Sequence, residues 1–392
     1  MTRHPTIRLR PREGRRVRSG APWAFSNEIT MDGPAKALAA GSIVNLRGDD
    51  GRELGTFYFN PRSLIAARRL DHAVDATIDT EFFVARISRA LAIRGALYER
   101  PFYRLVNAEG DGLPGLVLDR FGDFLVVQIT TAGMESLLTP LVEAIERVLA
   151  PVAILARNDT ATRSLEGLES YVRPLKGEAQ RTVVEENGVR YFVDPAKGQK
   201  TGWYFDQHEN RAFLARLAEN ATVLDAFTFT GGFALAAAKA GAREAVGLDS
   251  SAGALTLAEE SAAANRLSAK FVRCDVLEEL ERLAGEEQKF DVVVADPPPF
   301  VRSRKDLEPG AKAYRKVARL AARVTADKGF VLLASCSHNI SMERFQLECA
   351  TGIARADRHA TLIRAAGAGP DHPVHPFLPE SAYLKTLVFA IS

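Results

Sequence analysis

The chain has 392 residues and a net charge of +2, and 46% of its residues are hydrophobic and 26% charged, which is typical of a folded globular protein of two or three domains. It has no run of about 18 apolar residues that could span a bilayer and no apolar segment behind its first basic residues, so we expect a cytoplasmic protein rather than a membrane or secreted one. Three scattered cysteines are too few for a disulfide framework or a zinc site, and we expect no bound metal: Cys274, Cys336 and Cys349.

Positive charge is concentrated at the N-terminal end of the chain. Residues 1–70 contain 13 Lys and Arg against 6 Asp and Glu, whereas the remaining residues contain 38 against 43. A basic segment joined to a mildly acidic one indicates a polyanion-binding first domain, and we favour nucleic acid over the alternative of a well-solvated basic surface. The arginines expected to contact RNA phosphates are Arg10, Arg15 and Arg16.

The same region has the pattern of a small β-rich domain. Strand-like runs at 42–46 and 54–59 are separated by a glycine-containing turn, and we place the domain over residues 1–75. Short strands with basic and aromatic side chains suit a module that binds RNA through its phosphates and bases. For Trp23 and Phe25 we favour the simpler interpretation that the two rings form the core of this domain.

Residues 76–178 have an α+β pattern. A helix is predicted over about 79–98, strands over 103–107 and within 115–129, and a second helix over about 134–149. Nothing in this region has the pattern of a catalytic site. We interpret it as a spacer domain between the RNA-binding and catalytic parts of the chain.

Residues 179–392 alternate between short apolar strands and helices, which is typical of a doubly wound α/β sheet. Its first unit is a strand over 223–227 that is followed by Gly231, Gly232 and a helix. Ligands of such sheets bind at the carboxyl ends of the strands, where glycine lets the backbone approach them closely. Asp225 lies at this strand end, as the first polar group that a ligand would meet.

Three further strands of this region end in an acid, namely Asp249, Asp275 and Asp296. Asp249 follows Gly232 by 17 residues, a spacing at which a carboxylate accepts both ribose hydroxyls of an adenosine. Asp275 can accept a hydrogen bond from the adenine amine. Four successive strands end in an acid. This pattern favours the interpretation that the acids bind an adenosine-containing ligand over the interpretation that they only cap helices.

The glycine turn distinguishes between two such ligands. A nicotinamide dinucleotide would use the same sheet, but its G-x-G-x-x-G fingerprint is absent and the sequence has T-G-G-F-A-L instead. We therefore predict S-adenosylmethionine as the cofactor. The residues expected to line its site are Asp206, Gln207, Arg211, Asp225, Phe227, Thr230, Gly231, Gly232, Asp249, Ser250, Asp275, Val276, Asp296 and Pro297. For Asp206, Gln207 and Arg211, a capped helix start is an equal alternative.

Two positions have the pattern of catalytic residues. Asp296 precedes a run of prolines, which extends the backbone and presents the carboxylate to a flat polar substrate such as a flipped base. Cys336 follows the fifth strand, and a thiolate there can attack C6 of a pyrimidine and so activate C5. A buried structural role is the usual one for an isolated cysteine, and we keep it for Cys274 and Cys349.

A basic stretch lies between these two positions. Residues 301–316 contain six Lys and Arg against two acids, and beside the site they would bind the phosphates that flank the target base. A solvated helix face is an equal alternative. The residues concerned are Arg302, Arg304, Lys305, Lys312 and Arg315. The chain then ends in a predicted antiparallel strand within 381–391, and His372 before it is interpreted as structural.

These motifs resemble those of a known family, the bacterial large-subunit rRNA cytosine-C5 methyltransferases. The resemblance covers nearly the whole chain, and the matching motifs are Pro22–Ser26, Asp111–Gly115, Lys200–Gln207, Phe229–Phe233, Asp296–Phe300, Ser335–Ser337 and Asp371–Pro373. It implies an N-terminal PUA RNA-binding domain, a small middle domain and a class I Rossmann-like methyltransferase domain with a doubly wound, seven-stranded sheet. It also implies Cys336, in the S-C-S motif, as the nucleophile.

The sequence departs from related RNA cytosine methyltransferases at one position. Related RNA cytosine methyltransferases have a second cysteine after the proline of the Asp296–Phe300 motif. Pro298 stands at that position here, which leaves open how the covalent adduct is resolved. Pro299 replaces a residue that is usually polar.

We therefore predict an S-adenosylmethionine-dependent enzyme that forms 5-methylcytosine in large-subunit ribosomal RNA. Two alternatives remain: a methyltransferase for exocyclic amino groups, which needs no thiol, and an RNA-binding assembly factor without activity. The target cytosine, the assembly state of the substrate and the presence of a homodimer are left open by the sequence.

Overall fold

The computed structural model describes residues 3–178 and 180–392. The chain forms two compact units. The first unit comprises the chain up to Gln180 together with two later segments, Pro195–Trp203 and Pro370–Pro379. The second unit comprises Arg181–Asp194, Tyr204–Gly369 and Glu380–Ser392. Within the described residues, no helix is long and apolar enough to cross a membrane.

The N-terminal part of the first unit is a five-stranded sheet of order β1-β3-β4-β5-β2. Its strands are β1 (Thr6–Arg8), β2 (Trp23–Ala24), β3 (Ser42–Arg47), β4 (Glu53–Phe59) and β5 (Ala67–Asp71), with short helices α1 (Arg15–Arg18) and α2 (Gly33–Ala37). The prediction of a small β-rich domain is confirmed. Its core contains Phe57 and Phe59, both fully buried, together with aliphatic side chains.

Trp23 and Phe25 do not belong to this core, so the expectation that they form it is wrong. Both side chains are half-buried and contact each other edge to face, with ring centroids 6.4 Å apart. The indole N–H of Trp23 donates to Glu109 at 2.7 Å, and the guanidinium of Arg68 lies 5.2 Å from its ring centroid. The indole has a polar hydrogen that needs a partner, and the carboxylate that accepts it lies in the segment after this sheet.

A second five-stranded sheet follows, of order β10-β9-β8-β7-β6. Its strands are β6 (Phe102–Asn107), β7 (Leu116–Phe121), β8 (Phe124–Ile129), β9 (Ala153–Asn158) and β10 (Tyr171–Lys176), and its helices are α3 (Thr80–Leu97), α4 (Ala132–Ser136), α5 (Leu138–Leu149) and α6 (Thr162–Leu165). The helix predicted over 134–149 is interrupted at Leu137, and β9 and β10 were not predicted. The domain boundaries at residues 75 and 178 stay predictions.

The second unit contains a seven-stranded sheet of order β15-β14-β13-β16-β17-β19-β18. A separate β11-β12 hairpin precedes this sheet in the chain. The strands are β11 (Thr182–Glu186), β12 (Val189–Val193), β13 (Thr222–Ala226), β14 (Glu244–Asp249), β15 (Lys270–Arg273), β16 (Phe290–Ala295), β17 (Thr325–Ser335), β18 (Ala360–Ala366) and β19 (Lys385–Ile391). The helices are α7 (His208–Ala215), α8 (Gly232–Lys239), α9 (Ala252–Asn265), α10 (Val276–Gly285), α11 (Leu307–Arg323) and α12 (Met342–Ala354). β19 is antiparallel to both of its neighbours, and the predicted doubly wound, seven-stranded sheet is confirmed.

Helices cover both faces of this sheet because its strands are apolar on both sides. In β16, Val293 packs into the cluster that α10, α11 and α12 form on one face, whereas Val294 packs with α7 and α8 on the other. The strand order reverses on either side of β13, which leads to β14 in one direction and β16 in the other. A crevice at such a reversal is where ligands bind in doubly wound folds.

Candidate active site

The loop after β13 has an unusual backbone. Phe227, Phe229 and Gly231 all have left-handed conformations, with φ of 68°, 52° and 80°. Left-handed conformations of bulky residues are strained and persist only where the surrounding structure enforces them, and they cluster at binding and catalytic sites. At Gly231, a Cβ atom would lie 3.0 Å from Cβ of Ala258 and 3.1 Å from the ring of Phe271, so no side chain fits without displacement. The loop therefore exposes backbone that a ligand can approach closely. The loop leads into α8, which begins at Gly232.

Two buried polar atoms at this strand end have no hydrogen-bond partner among the described residues, Oδ1 of Asp225 and Oγ1 of Thr230. The other carboxylate oxygen of Asp225 accepts from the hydroxyl of Thr228 and, at 2.9 Å, from the amide of Ala234. Burial raises the pKa of Asp225 to about 7, against the effect of these two donors. A buried oxygen without a partner is costly unless a ligand supplies one, so this strand end has the chemistry of a binding site.

Asp249 and Asp275 lie at the next two strand ends, as predicted, and both hold loops in place. Asp249 accepts from the amides of Phe229 and Ser251, each at 2.9 Å, and so fastens the strained loop. Asp275 caps α10, which begins at Val276. Ser250 lies between the two strands and accepts from Arg273 through its carbonyl at 3.3 Å. Whether the two carboxylates also bind a ribose and an adenine stays a prediction.

The segment before α7 joins the glycine loop to the proline loop. The ring of Tyr204 packs edge to face on Phe229, with centroids 5.4 Å apart. Burial raises the pKa of Tyr204, and the carboxylates of Asp296 and Asp206 raise it further. Gln207 donates from its amide to Asp296 at 2.8 Å. Asp206 is buried and accepts from the hydroxyl of Tyr383.

Arg211 makes a buried ion pair with Glu186. Its Nε lies 2.5 Å from Oε1 of Glu186, and its Nη2 donates to Oε2 at 2.8 Å and to the carbonyl of Tyr204 at 2.9 Å. Although burial raises the pKa of Glu186, Arg211 and His208 lower it to about 2. These contacts show Arg211 supporting the backbone at Tyr204, and a contact with the cofactor stays a prediction.

The proline loop and the S-C-S segment follow neighbouring strands. β16 and β17 pair in parallel, with Ala295 opposite Leu333, so Asp296 and Cys336 extend from the same edge of the sheet. Cys336 is half-buried and forms no disulfide. Pro297, the first residue of the proline run, is buried.

A tyrosine of α11 connects the residues on both sides of Cys336. The hydroxyl of Tyr314 lies 2.8 Å from the hydroxyls of both Ser335 and Ser337. The hydroxyl of Ser337 also accepts from the amide of Val301 at 3.1 Å, which ties the S-C-S segment to the end of the proline loop. Tyr314 was not predicted as a site residue, because its only signal in the sequence is an aromatic side chain within the basic stretch.

The predicted RNA-binding residues differ in their surroundings. Seven of the eight are exposed: Arg10, Arg15, Arg16, Arg302, Arg304, Lys305 and Lys312. Arg16 donates to the carbonyl of Phe377 at 3.2 Å. Arg315 is half-buried and its Nε donates to Glu348 at 2.7 Å, where Nε of Arg344 donates to the other oxygen at 2.8 Å. RNA binding by all eight stays a prediction.

The remaining residues that were considered for the site are buried and make contacts within the fold. Asp371 and His372 are buried in the first unit, where Nδ1 of His372 lies 2.8 Å from the carboxylate of Asp371. Asp371 also accepts from the amide of Arg104 at 2.9 Å. Cys349 is buried in the core beside α11. In the part of the chain that the structure describes, no group of His, Cys, Asp and Glu could hold a metal ion.

The sheet order, the strained glycine loop and the unsatisfied oxygens at β13 define an S-adenosylmethionine-dependent methyltransferase, and the family model of that description matches residues 155–390. A PUA-like domain model matches residues 7–72. The chain belongs to the ribosomal RNA large subunit methyltransferase I family. It is 37% identical to the protein of that name from Shewanella denitrificans, over 97% of this chain and 98% of the relative. It is 35% identical to the one from Escherichia coli, over 93% of both chains.

Solved structures have the same fold. A Streptococcus mutans protein, described as a candidate SAM-dependent methyltransferase, superposes with a TM-score of 0.82 at 21% identity, over 98% of this chain and 100% of that one. A candidate methyltransferase complexed with SAH has a TM-score of 0.83 at 20% identity, over 99% and 100%. The predicted cofactor and the resemblance to large-subunit rRNA methyltransferases with a PUA domain are thus confirmed, and the atom that is methylated is a separate question.

Proposed function

We propose that this protein methylates C5 of a cytosine in large-subunit ribosomal RNA and that Cys336 forms a thioether to C6 of that base during the reaction. The names of the relatives support the RNA as substrate, and the PUA-like domain and its exposed arginines support RNA binding. The observation that carries the chemistry is the position of Cys336 and Asp296 at the ends of adjacent parallel strands. A thiol and a carboxylate that extend from one sheet edge can act on the same flipped base.

The site residues then have distinct roles. Cys336, as the thiolate, adds to C6, and the electrons of the C5–C6 bond move so that C5 becomes nucleophilic. Asp296 binds N3 and the N4 amino group and stabilises the ring during the addition. Asp225, Thr230 and the left-handed loop would hold S-adenosylmethionine, which would supply an electrophilic methyl group and leave as S-adenosylhomocysteine. C5 takes up the methyl group, and loss of the C5 proton to solvent water then restores the C5–C6 double bond and expels Cys336 as the thiolate.

The hydrogen bonds around the two loops support a preorganised site. Tyr314 holds the serines on both sides of Cys336, and Gln207 holds Asp296. The proline loop and the S-C-S segment are therefore fixed in position before the base binds. Groups that are fixed before the reaction cost no reorganisation during it.

The test uses ribosomal RNA that contains 5-fluorocytidine. Fluorine at C5 blocks loss of the proton, so an adduct with the enzyme should persist on a denaturing gel when S-adenosylmethionine is present. Cys336→Ala should form no adduct and transfer no methyl group. Cys274→Ala is a matched control, because Cys274 is also a half-buried thiol directly after a strand of the same sheet, and it should form the adduct normally.

Two results would contradict the proposal. If Cys336→Ala still methylates ordinary RNA, the reaction needs no thiol and methylation of an exocyclic amino group is favoured. If the protein binds RNA but shows no S-adenosylmethionine affinity by calorimetry, it acts as an assembly factor. Cofactor binding that is lost in Asp249→Ala would exclude that second alternative.

A further inference from the structure

Lys385 is a buried lysine beside the S-C-S segment. It lies at the start of β19, opposite Ser335 of β17, and its residue is only 6% exposed. Its ammonium nitrogen donates to the carbonyl of Ser337 at 2.8 Å and to the carbonyl of Tyr383 at 2.9 Å. Lys385 thus holds the backbone immediately after Cys336.

The charge of Lys385 lacks a carboxylate partner among the described residues. Its two acceptors are neutral carbonyls, and no Asp or Glu within residues 3–178 and 180–392 forms an ion pair with its ammonium. Lysine is almost never fully buried unless it is paired, because removing the ammonium from water is unfavourable. A negative charge near Lys385 would therefore offset this cost.

The thiolate of Cys336 can supply that negative charge. Burial lowers the pKa of Lys385, and a thiolate at Cys336 raises it. Because an electrostatic interaction between two groups is mutual, the ammonium favours the thiolate to the same extent that the thiolate favours the ammonium.

Other titratable groups also surround the thiol. Tyr314 of α11 and Tyr204 before α7 both interact electrostatically with Cys336. Tyr204 also interacts electrostatically with Asp296 and Asp206. His338 belongs to the segment of Cys336 and packs on the ring of Tyr383, with centroids 5.2 Å apart. The two tyrosines stay neutral because their pKa values are raised, whereas nearby carboxylates disfavour a thiolate. The positive charge of Lys385 opposes the effect of the carboxylates.

We propose that Lys385 is a positioning residue for Cys336, which holds the S-C-S backbone through Ser337 and stabilises the thiolate before RNA binds. The role in catalysis rests on the proposed function, since it matters only if Cys336 attacks the base. The coupling between the two side chains does not rest on it, and it can be measured without RNA.

The test measures the alkylation of Cys336 by iodoacetamide as a function of pH, in the full-length protein, with each cysteine followed separately by peptide mass spectrometry. In Lys385→Met, the pH midpoint of Cys336 alkylation should rise by about one unit and the rate at pH 7 should fall by about tenfold. Lys385→Arg, which keeps the charge, should stay closer to the wild type. Cys274 is the internal control, because burial and the nearby acids Glu279 and Asp275 raise its pKa to about 11 and its profile should not change.

A second measurement needs no substitution at Lys385. In Cys336→Ala, Lys385 should titrate at lower pH than in the wild type, as followed by NMR of ¹³C-methylated lysines. If Lys385→Met melts at a lower temperature but keeps the wild-type midpoint of alkylation, Lys385 only fastens the backbone and the proposal is wrong. The same conclusion follows if Lys385 titrates identically with and without the thiol.

The 5-fluorocytidine adduct separates this proposal from the function. A shifted alkylation midpoint together with methyl transfer by Cys336→Ala would keep the coupling and overturn the C5 chemistry. An adduct with the wild type together with an unshifted midpoint would keep the chemistry and overturn the role of Lys385.

Discussion

Gln207 donates from its amide nitrogen to Oδ2 of Asp296 over 2.8 Å, and its own amide oxygen accepts from Asn210 at 2.7 Å. The second contact fixes which end of the amide faces Asp296. Gln207 was expected to bind the cofactor, which stays a prediction, and the structure shows it holding the proposed catalytic carboxylate of Asp296. A group that fixes the orientation of Asp296 acts on the chemical step more than on cofactor affinity.

Substitution of Gln207 distinguishes these two roles. In Gln207→Leu, kcat for methyl transfer should fall by about 10- to 100-fold, because the carboxylate loses its orienting donor. The Kd for S-adenosylmethionine, measured by calorimetry, should change little. Gln288→Leu, at an exposed position of the same unit, should alter neither quantity. A weaker Kd with an unchanged kcat would favour the original interpretation.

Removal of the Tyr314 hydroxyl should weaken the segment around Cys336. Tyr314→Phe leaves the buried hydroxyls of Ser335 and Ser337 without their shared partner, which should lower the free energy of unfolding by about 1–3 kcal/mol. It should also slow formation of the 5-fluorocytidine adduct. Thr325→Val removes a buried hydroxyl at the opposite end of β17, so it should reduce stability in urea without slowing the adduct. Equal effects of both variants on the adduct rate would show that Tyr314 has no specific role.

The stability of the protein should depend on pH through Asp225. Burial raises the pKa of this carboxyl to about 7, above its value in the unfolded chain, so the folded state holds the proton more tightly. The resulting stabilisation is complete below the unfolded pKa and is lost as pH rises through about 7. Between pH 5 and pH 8, the wild type should lose on the order of 2 kcal/mol relative to Asp225→Asn, measured by urea unfolding. Parallel pH profiles of the two proteins would contradict this assignment.

Two arginines of the basic stretch should respond differently to substitution. Arg304 is exposed, so Arg304→Ala should weaken RNA binding and reduce the slope of log K against log salt by about 0.7 for the lost phosphate contact. Arg315 is bound to the buried carboxylate of Glu348, so Arg315→Ala should instead lower the urea midpoint of unfolding. The measurements are RNA titrations at several salt concentrations and urea unfolding. A larger loss of RNA affinity in Arg315→Ala than in Arg304→Ala would reverse this ranking.

The strand ends of the second unit could be predicted from the sequence because their signals are local. Each of β13, β14 and β16 is a short apolar run beside an acid, and a parallel sheet buried on both faces requires such runs. The conformations of Phe227 and Phe229 carry no such signal, since nothing in a phenylalanine indicates a positive φ. They follow from the packing of the whole loop.

The partners of the site residues could not be predicted for a related reason. Lys385 and Ser337 are 48 residues apart, and Gln207 and Asp296 are 89 residues apart. Their contacts depend on strand order and register, which a single sequence does not determine. β18 was missed because it is an edge strand whose side chains are mostly exposed or half-buried, so it has no continuous apolar run.

The first unit includes a segment from near the end of the chain, so part of its core cannot form early in translation. Arg94, which is fully buried, donates to the carbonyl of Asp371, and the amide of Arg104 donates to the carboxylate of the same residue. Asp371 belongs to a segment that leaves the ribosome after nearly all of the second unit. The first unit therefore cannot complete its polar core during early translation. Until Asp371 has been synthesised, Arg94 has its ion pair with Asp111 and its hydrogen bond to the carbonyl of Arg104, but it lacks its last acceptor.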